Sequence, residues 1–383
     1  MRKILVFIGS RANYSSIKSV MYSIKKHSKL KLQLILGASS LIEKYGDLVG
    51  LIKKDGFKID DQLSTLVEGQ NPMSMSKTAG LGIIEISSSL NKLKPDIVIT
   101  IGDRFETIST TIATTYLNIP LAHTMGGEVT GTIDESIRHA TTKFANLHFV
   151  ATSKSRQRVI KMGEKPNTVF NVGCPRIDLV KSILNDKKPL SPNEIFRHGV
   201  GKTFNLKKKF LIVSQHPVTT EYDRAFYQIT NTLKAVKKTN LPSIILWPNA
   251  DAGSDGISRG IRSFREKNSN LNFFYIKNLK ISDYVKLMNS TSCLIGNSSS
   301  GIREGAYIGT PTVNIGTRQN NRECGKNVLH TNYSHKTIYT SINKQINKRK
   351  LNSEKIYGRG DAGVKIAKIL ASCKLLVQKK ISY

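Results

Sequence analysis

The 383 residues carry 59 lysines and arginines against 27 aspartates and glutamates, a formal net charge of +32, with 39% hydrophobic and 22% charged residues. That balance describes a folded chain of about two ordinary domains, not a disordered one, and no apolar run is long enough to span a bilayer. The basic residues are spread along the whole sequence instead of alternating with aromatics in one block, so a lysine-rich solvated surface is expected, with neither nucleic acid nor membrane as partner.

Residues 3–9 read as a buried strand. The Met1-Arg2-Lys3 start looks signal-like, but the apolar run after it is short and ends in Gly9-Ser10-Arg11, so a cytoplasmic protein is expected. Residues 15–26 place Ile17, Val20, Met21 and Ile24 on one helical stripe. Strands follow at 32–37 and 96–101, a helix at 104–118, and strands at 119–123, 147–152 and 169–172. Residues 176–209 are rich in Lys, Pro and Asn with weak periodicity, which suggests a domain boundary. Strands resume at 210–214, 243–247, 272–276, 293–296 and 312–315, and residues 362–377 read as a last amphipathic helix. Strand–helix–strand spacing of this kind gives βαβ units and parallel sheets. The expected architecture is two doubly wound α/β domains, 1–180 and 205–360, with 361–383 as a C-terminal helix and tail. The four cysteines, Cys174, Cys293, Cys324 and Cys373, are far apart, with no histidine at ligand spacing. They read as free thiols, and no metal or cofactor is expected.

Ligands of open parallel sheets bind beyond the carboxyl ends of the strands. The residues there are Arg11, Asp103-Arg104, Gly126-Gly127-Glu128, Gln215-His216-Pro217, Pro248-Asn249 and Asn297-Ser298-Ser299-Ser300-Gly301. The serine run closes a strand and opens a helix, where free N–H groups and the helix dipole favour phosphate and Ser298 and Ser299 add hydroxyls. Glu304, one turn on, is placed to accept from ribose hydroxyls, while Arg11, Arg104, His216 and Arg318 can surround a diphosphate. The acidic set is Asp103, Glu128 and Asp134; a helix N-cap explains Asp134 equally well. Arg138 and His139 can pair with acids inside helix packing, and His123 and His148 read as core or satisfied polar residues.

These motifs resemble a known family. Residues 102–106 (GDRFE), 126–140 (GGEVTGTIDESIRHA), 215–220 (QHPVTT), 248–254 (PNADAGS), 295–304 (IGNSSSGIRE) and 314–319 (NIGTRQ) are similar to the hydrolysing UDP-N-acetylglucosamine 2-epimerases. The likeness runs from about Leu5 to the final helix. It is greatest to the epimerase half of the animal bifunctional epimerase/kinase and to bacterial sialic- and legionaminic-acid pathway enzymes. The resemblance implies a GT-B-like pair of Rossmann domains with the active site in their cleft. It places the family's acidic residues on Asp103, Glu128 and Asp134 and its catalytic histidine on His216. Its nucleotide and phosphate contacts fall on Arg11, Arg104, Asn249, Ser298, Ser299, Glu304 and Arg318. Relatives commonly carry Asp where this chain has Asn13, and a protein without a kinase domain is expected. A homodimer or homotetramer fits the family.

The implied reaction converts UDP-N-acetylglucosamine and water to UDP and N-acetylmannosamine, feeding sialic-acid-type synthesis. The C2 hydrogen is not acidic, so its removal must accompany loss of UDP, giving a 2-acetamidoglucal. Alternatives are the same chemistry on GDP-N-acetylglucosamine or a UDP-diacetamido-trideoxyhexose, a non-hydrolysing epimerase, and a GT-B glycosyltransferase, which needs an acceptor. A non-enzymatic basic binding protein is the reading from another class. Arg259 and Arg262, three apart on a predicted helix, mark either a solvated face or part of an anionic effector site.

Overall fold

The computed structural model describes residues 1–43, 46–69, 71–248, 251–277, 279–348 and 351–382. The chain divides into two compact units: residues 1–128, 133–179 and 357–383 form the first, and residues 129–132 and 180–356 the second. The division falls inside the helix Pro175–Asn185, in the stretch 176–209 where the sequence suggests a domain boundary.

Among the described residues the first unit holds seven strands, β1 (Arg2–Ile8), β2 (Leu30–Gly37), β3 (Asp61–Leu63), β4 (Ile97–Ile101), β5 (Leu121–Thr124), β6 (Leu147–Val150) and β7 (Val169–Asn171), in the order β3-β2-β1-β4-β5-β6-β7. Every pairing is parallel. β4, β5 and β6 are buried at every position, as strands covered by helices on both faces must be. Leu5, Phe7, Ile35, Val98 and Leu121 meet Ile86 and Leu90 of the covering helix Pro72–Leu93 in one core cluster.

The second unit adds β8 (Gly199–Gly201), β9 (Leu211–Ser214), β10 (Ser243–Leu246), β11 (Phe273–Ile276), β12 (Cys293–Gly296), β13 (Thr312–Ile315) and β14 (Val328–Thr331), ordered β14-β13-β12-β9-β10-β11-β8. All pairs are parallel except the short edge strand β8, which runs antiparallel to β11. Its core gathers Leu211, Val213, Ile245, Ile295 and Val313 against Ile229, Leu233 and Ile257 of the helices Ala225–Lys238 and Ser254–Lys267.

Each sheet therefore reverses its winding once, between β1 and β4 in the first unit and between β9 and β12 in the second. Crevices at such reversals are where doubly wound sheets take their ligands. Strand β3, the helix Pro72–Leu93 and β14 were absent from the sequence reading. The last helix ends at Ser372, short of residue 377. Among the described residues no helix is long and apolar enough to cross a membrane.

Candidate active site

In the first unit the reversal point is framed by the helix Arg11–Lys26 after β1 and the Gly102-Asp103-Arg104 turn after β4. Ser10 caps that helix by accepting from the Asn13 N–H, and its hydroxyl donates to Asn13 Oδ1 at 3.0 Å. Asn13, the departure from the family pattern, is thus a buried partner of the cap. Tyr14, the next residue, donates its hydroxyl to Asp55 at 2.6 Å, a structural role. Arg11 is the first helical residue, half-buried, and burial pushes its pKa down. A cation at a helix N-terminus opposes the dipole, so an arriving anion would relieve both strains.

Gly102 has φ +67°, the left-handed turn that brings Asp103 out of the strand. Asp103 is a quarter exposed, and Arg104 Nε lies 2.9 Å from Glu106 Oε1 with its guanidinium over the Phe105 ring. The acids converge on Arg138, which by sequence is only a cation able to pair inside helix packing. Its side chain is 1% exposed, donates from Nε and Nη2 to Asp103 Oδ2, and from Nη1 to the Glu128 carbonyl at 2.7 Å. Burial works to lower the guanidinium's pKa, but Asp103, Glu128 and Asp134 together hold it above its ordinary value. Glu128 is buried after Gly126-Gly127. Asp134 is the first residue of the helix Asp134–Phe144, whose N-cap is Ile133, so capping is not its role. Arg138 follows Asp134 by four residues, one turn along the same face. His139 faces Glu135 at 3.4 Å instead. The signal for Arg138 was this i, i+4 spacing from an acid already singled out.

In the second unit His216 follows β9, and Asn297 follows β12. Asn297 is fully buried, accepts from the His216 N–H at 2.7 Å and donates to the His216 carbonyl at 2.8 Å, tying the two strand ends across the reversal. Arg318 and Gln319 donate to its own carbonyl at 3.2 and 2.9 Å. Asn297, which the sequence places at a strand end without a role of its own, is the scaffold residue of this reversal point.

The serine run departs from expectation. A single 3-10 turn, Ser299–Gly301, precedes a six-residue helix, Arg303–Ile308, so the dipole there is slight. Ser298 and Ser300 hydroxyls lie 2.8 Å apart, Tyr284 reaches Ser300 at 2.6 Å, and Arg303 donates to Ser299 at 2.9 Å. Ser298, Ser299, His216 and Arg318 are half-buried, while Glu304 is 2% exposed in the short helix. Asn249 lies outside the described residues. Arg259 and Arg262 are exposed, with Arg262 over the Trp247 ring. Among the described residues no group of three or more His, Cys, Asp or Glu side chains is arranged to hold a metal.

A family model described as UDP-N-acetylglucosamine 2-epimerase matches residues 22–371. The chain belongs to that family. It is 33% identical over 375 residues to the hydrolysing UDP-N,N'-diacetylbacillosamine 2-epimerase of Legionella pneumophila, covering 98% of this chain and 97% of that one. It is 28% identical over 361 residues to the UDP-N-acetylglucosamine 2-epimerase of Neisseria meningitidis serogroup B, covering 94% and 92%. Among solved structures, Neisseria meningitidis UDP-GlcNAc 2-epimerase bound to UDP-GlcNAc matches with a TM-score of 0.80 at 18% identity, over 96% of this chain and 99% of that one. The fold is therefore that of the solved epimerases, a pair of Rossmann-like α/β domains of the GT-B-like kind.

Proposed function

We propose that this family member is a hydrolysing 2-epimerase that converts UDP-N-acetylglucosamine and water to UDP and N-acetylmannosamine. The observation that carries the reading is the Asp103–Arg138–Glu128 cluster at a reversal point, with Asp134 one helical turn from Arg138. A carboxylate among Asp103, Glu128 and Asp134 takes the C2 proton as the C1–O bond breaks and its electron pair leaves with UDP. The product is a 2-acetamidoglucal. Hydroxide from water then bonds to C1 while a proton returns to C2 from the opposite face, so C2 is inverted and the sugar is released free. General-base help of this kind is worth about 10² to 10⁴ in rate.

The leaving group is met by its own set of residues. His216, held by Asn297 on both backbone sides, and Arg318 stabilise the diphosphate as it gains charge, with Ser298 and Ser299 adding hydroxyls. Arg11 and Arg104 add positive charge, Asn249 a nucleotide contact, and Glu304 a ribose contact. A protein of this function works in the cytoplasm, where nucleotide sugars are made, as a homodimer or homotetramer and without a cofactor.

The identity to the Legionella enzyme favours a second reading of the substrate, UDP-N,N'-diacetylbacillosamine, with the same chemistry. Proton NMR in D2O with either nucleotide sugar, and no acceptor, tests both. Free 2-epimer carrying deuterium at C2 with an equal amount of UDP is expected. A nucleotide-linked epimer would mean a non-hydrolysing enzyme, and inertness toward both sugars would remove the proposal.

A further inference from the structure

The chemistry above leaves His123 unused, although its side chain is fully buried in β5, next to the acidic cluster. Its Nε2 lies 2.8 Å from the Gly102 carbonyl and its Nδ1 3.1 Å from Thr142 Oγ1. A carbonyl only accepts, so Nε2 carries the ring hydrogen, and Nδ1 of the neutral imidazole is an acceptor. The Thr142 hydroxyl also lies 3.0 Å from the carbonyl of Arg138, one turn earlier in the helix. Its single hydrogen is shared between that carbonyl and Nδ1.

These contacts close on themselves. Arg138 grips Asp103 Oδ2; Asp103 follows Gly102; Gly102 accepts from His123; His123 meets Thr142; and Thr142 returns to Arg138. Gly126 fits the same enclosure, since a Cβ there would lie 2.9 Å from His123 Nδ1 and 3.0 Å from Thr142 Oγ1. Burial, with His148 and Arg138 adding to it, pushes the His123 pKa down to about 4 against the opposing Gly102 bond. The neutral tautomer therefore persists at neutral pH.

We propose that His123 is a positioning residue of the epimerase site: by holding the Gly102 carbonyl and the Thr142 hydroxyl at once, it fixes Asp103 and Arg138 relative to each other. The need for it is local. Gly102 sits in a left-handed turn with no side chain of its own; its N–H is tied to the Thr124 carbonyl of β5 at 3.2 Å, and His123 of the same strand holds its carbonyl, the group that leads into Asp103. The inference rests on the functional reading above.

The test compares His123→Leu, His123→Gln and Thr142→Val in steady-state kinetics with UDP-N-acetylglucosamine and UDP-N,N'-diacetylbacillosamine. Misplacement of a reacting group by about 1 Å costs roughly 100-fold in rate. His123→Leu is accordingly expected to lower kcat about 100-fold with KM within about twofold. Glutamine, whose amide nitrogen can still donate to Gly102, should recover most of that loss. Thr142→Val should lower kcat about tenfold, and the Leu/Val double variant should be no slower than the Leu variant, because the ring is already broken. Wild-type kcat in His123→Leu, equal losses for Leu and Gln, or multiplying losses in the double variant would overturn the proposal. If His123→Leu does not fold, the Gln and Val variants carry the same comparison. A wild-type protein inert toward both nucleotide sugars would instead sink the functional reading. The ring is then judged alone by imidazole ¹⁵N NMR, where an Nε2–H tautomer supports it and an Nδ1–H tautomer overturns it.

Discussion

A guanidinium taken out of water is costly unless its donors are used, and Arg138 uses them on one carboxylate oxygen and one backbone carbonyl. Removing it leaves Asp103 beside an empty site, so Arg138→Met should lower unfolding free energy by about 3 kcal/mol in urea melts. It should also lower kcat more than about 100-fold. Arg138→Lys keeps the charge, but an ammonium is a point donor and cannot span Asp103 Oδ2 and the Glu128 carbonyl as the planar fork does. A loss of about tenfold in kcat with near-normal stability is expected. Equal activity in the Lys variant would show that charge alone matters at this position. Glu304 predicts the opposite signature: Glu304→Ala should weaken UDP binding about tenfold by calorimetry, as loss of a hydrogen bond to a charged group does. A pure kcat defect would remove its ribose role.

At the scale of elements, the segment after the last helix packs onto the end of the Asp134–Phe144 helix. Lys379 reaches Glu164 at 2.6 Å and the Ala145 carbonyl at 2.7 Å, while Asn146 holds the Leu376 and Val377 carbonyls. Lys143 and His148 close on the same carboxylate at 2.8 and 3.1 Å. Burial pushes Glu164 up, but the bonds from His148, Lys143 and Lys379 outweigh it and hold its pKa at about 2. A folded-state pKa below the unfolded value gives stability that is present above about pH 4.5 and lost as pH falls toward 2. His123 acts at a higher pH. Its ordinary 6.5 falls to about 4, so its share is complete above 6.5 and lost on acidification toward 4, up to about 3 kcal/mol. Melting temperature should therefore drop between pH 7 and 4.5, and less steeply in His123→Gln. Lys379→Met should lower stability at neutral pH by about 2 kcal/mol and narrow the gap between pH 7 and 3. A flat profile in the wild type would contradict both assignments.

The same elements show what sequence made readable. Runs such as Ile97–Ile101 are buried at every position and need no partner to be recognised as strands. The long helix Pro72–Leu93 was missed because serines and glycines dilute its apolar stripe, although Asn71-Pro72 with Ser74 makes a capping box. β8 and β14 are short edges whose identity depends on a neighbour; Gly199 and Gly201 are admitted because a Cβ at either would collide with β11. Asp103, Glu128 and Asp134 were visible as acids after strands. Their meeting point shows in sequence only as the i, i+4 spacing of Asp134 and Arg138; the bonds of Arg138 to Asp103 and to the Glu128 carbonyl are tertiary, and those of His123 and Asn297 likewise join segments distant in sequence.

For the molecule as a whole, a net charge of +32 sets up a field that attracts a nucleotide diphosphate from a distance. If the substrate is a UDP-sugar, kcat/KM should fall several-fold to about tenfold between 20 and 500 mM NaCl, while kcat changes little. Salt-independent kcat/KM would mean that the lysine-rich surface serves solubility alone.

The threading of the chain has a consequence for synthesis. The first unit is not complete when its main stretch has been made, because it also contains residues 357–383. There Asp178 accepts from the Ala362 and Gly363 N–H groups at 3.0 and 2.7 Å, and Gly363 packs on Ser19 of the first helix. On the ribosome the second unit, almost all of it one continuous stretch, can finish first. The first unit must wait, with one face open, for the ~180 residues that separate its parts, about 10 to 40 seconds at ordinary elongation rates. Chains truncated after residue 356 and released from the ribosome should therefore show a protected second unit and a first unit still sensitive to protease.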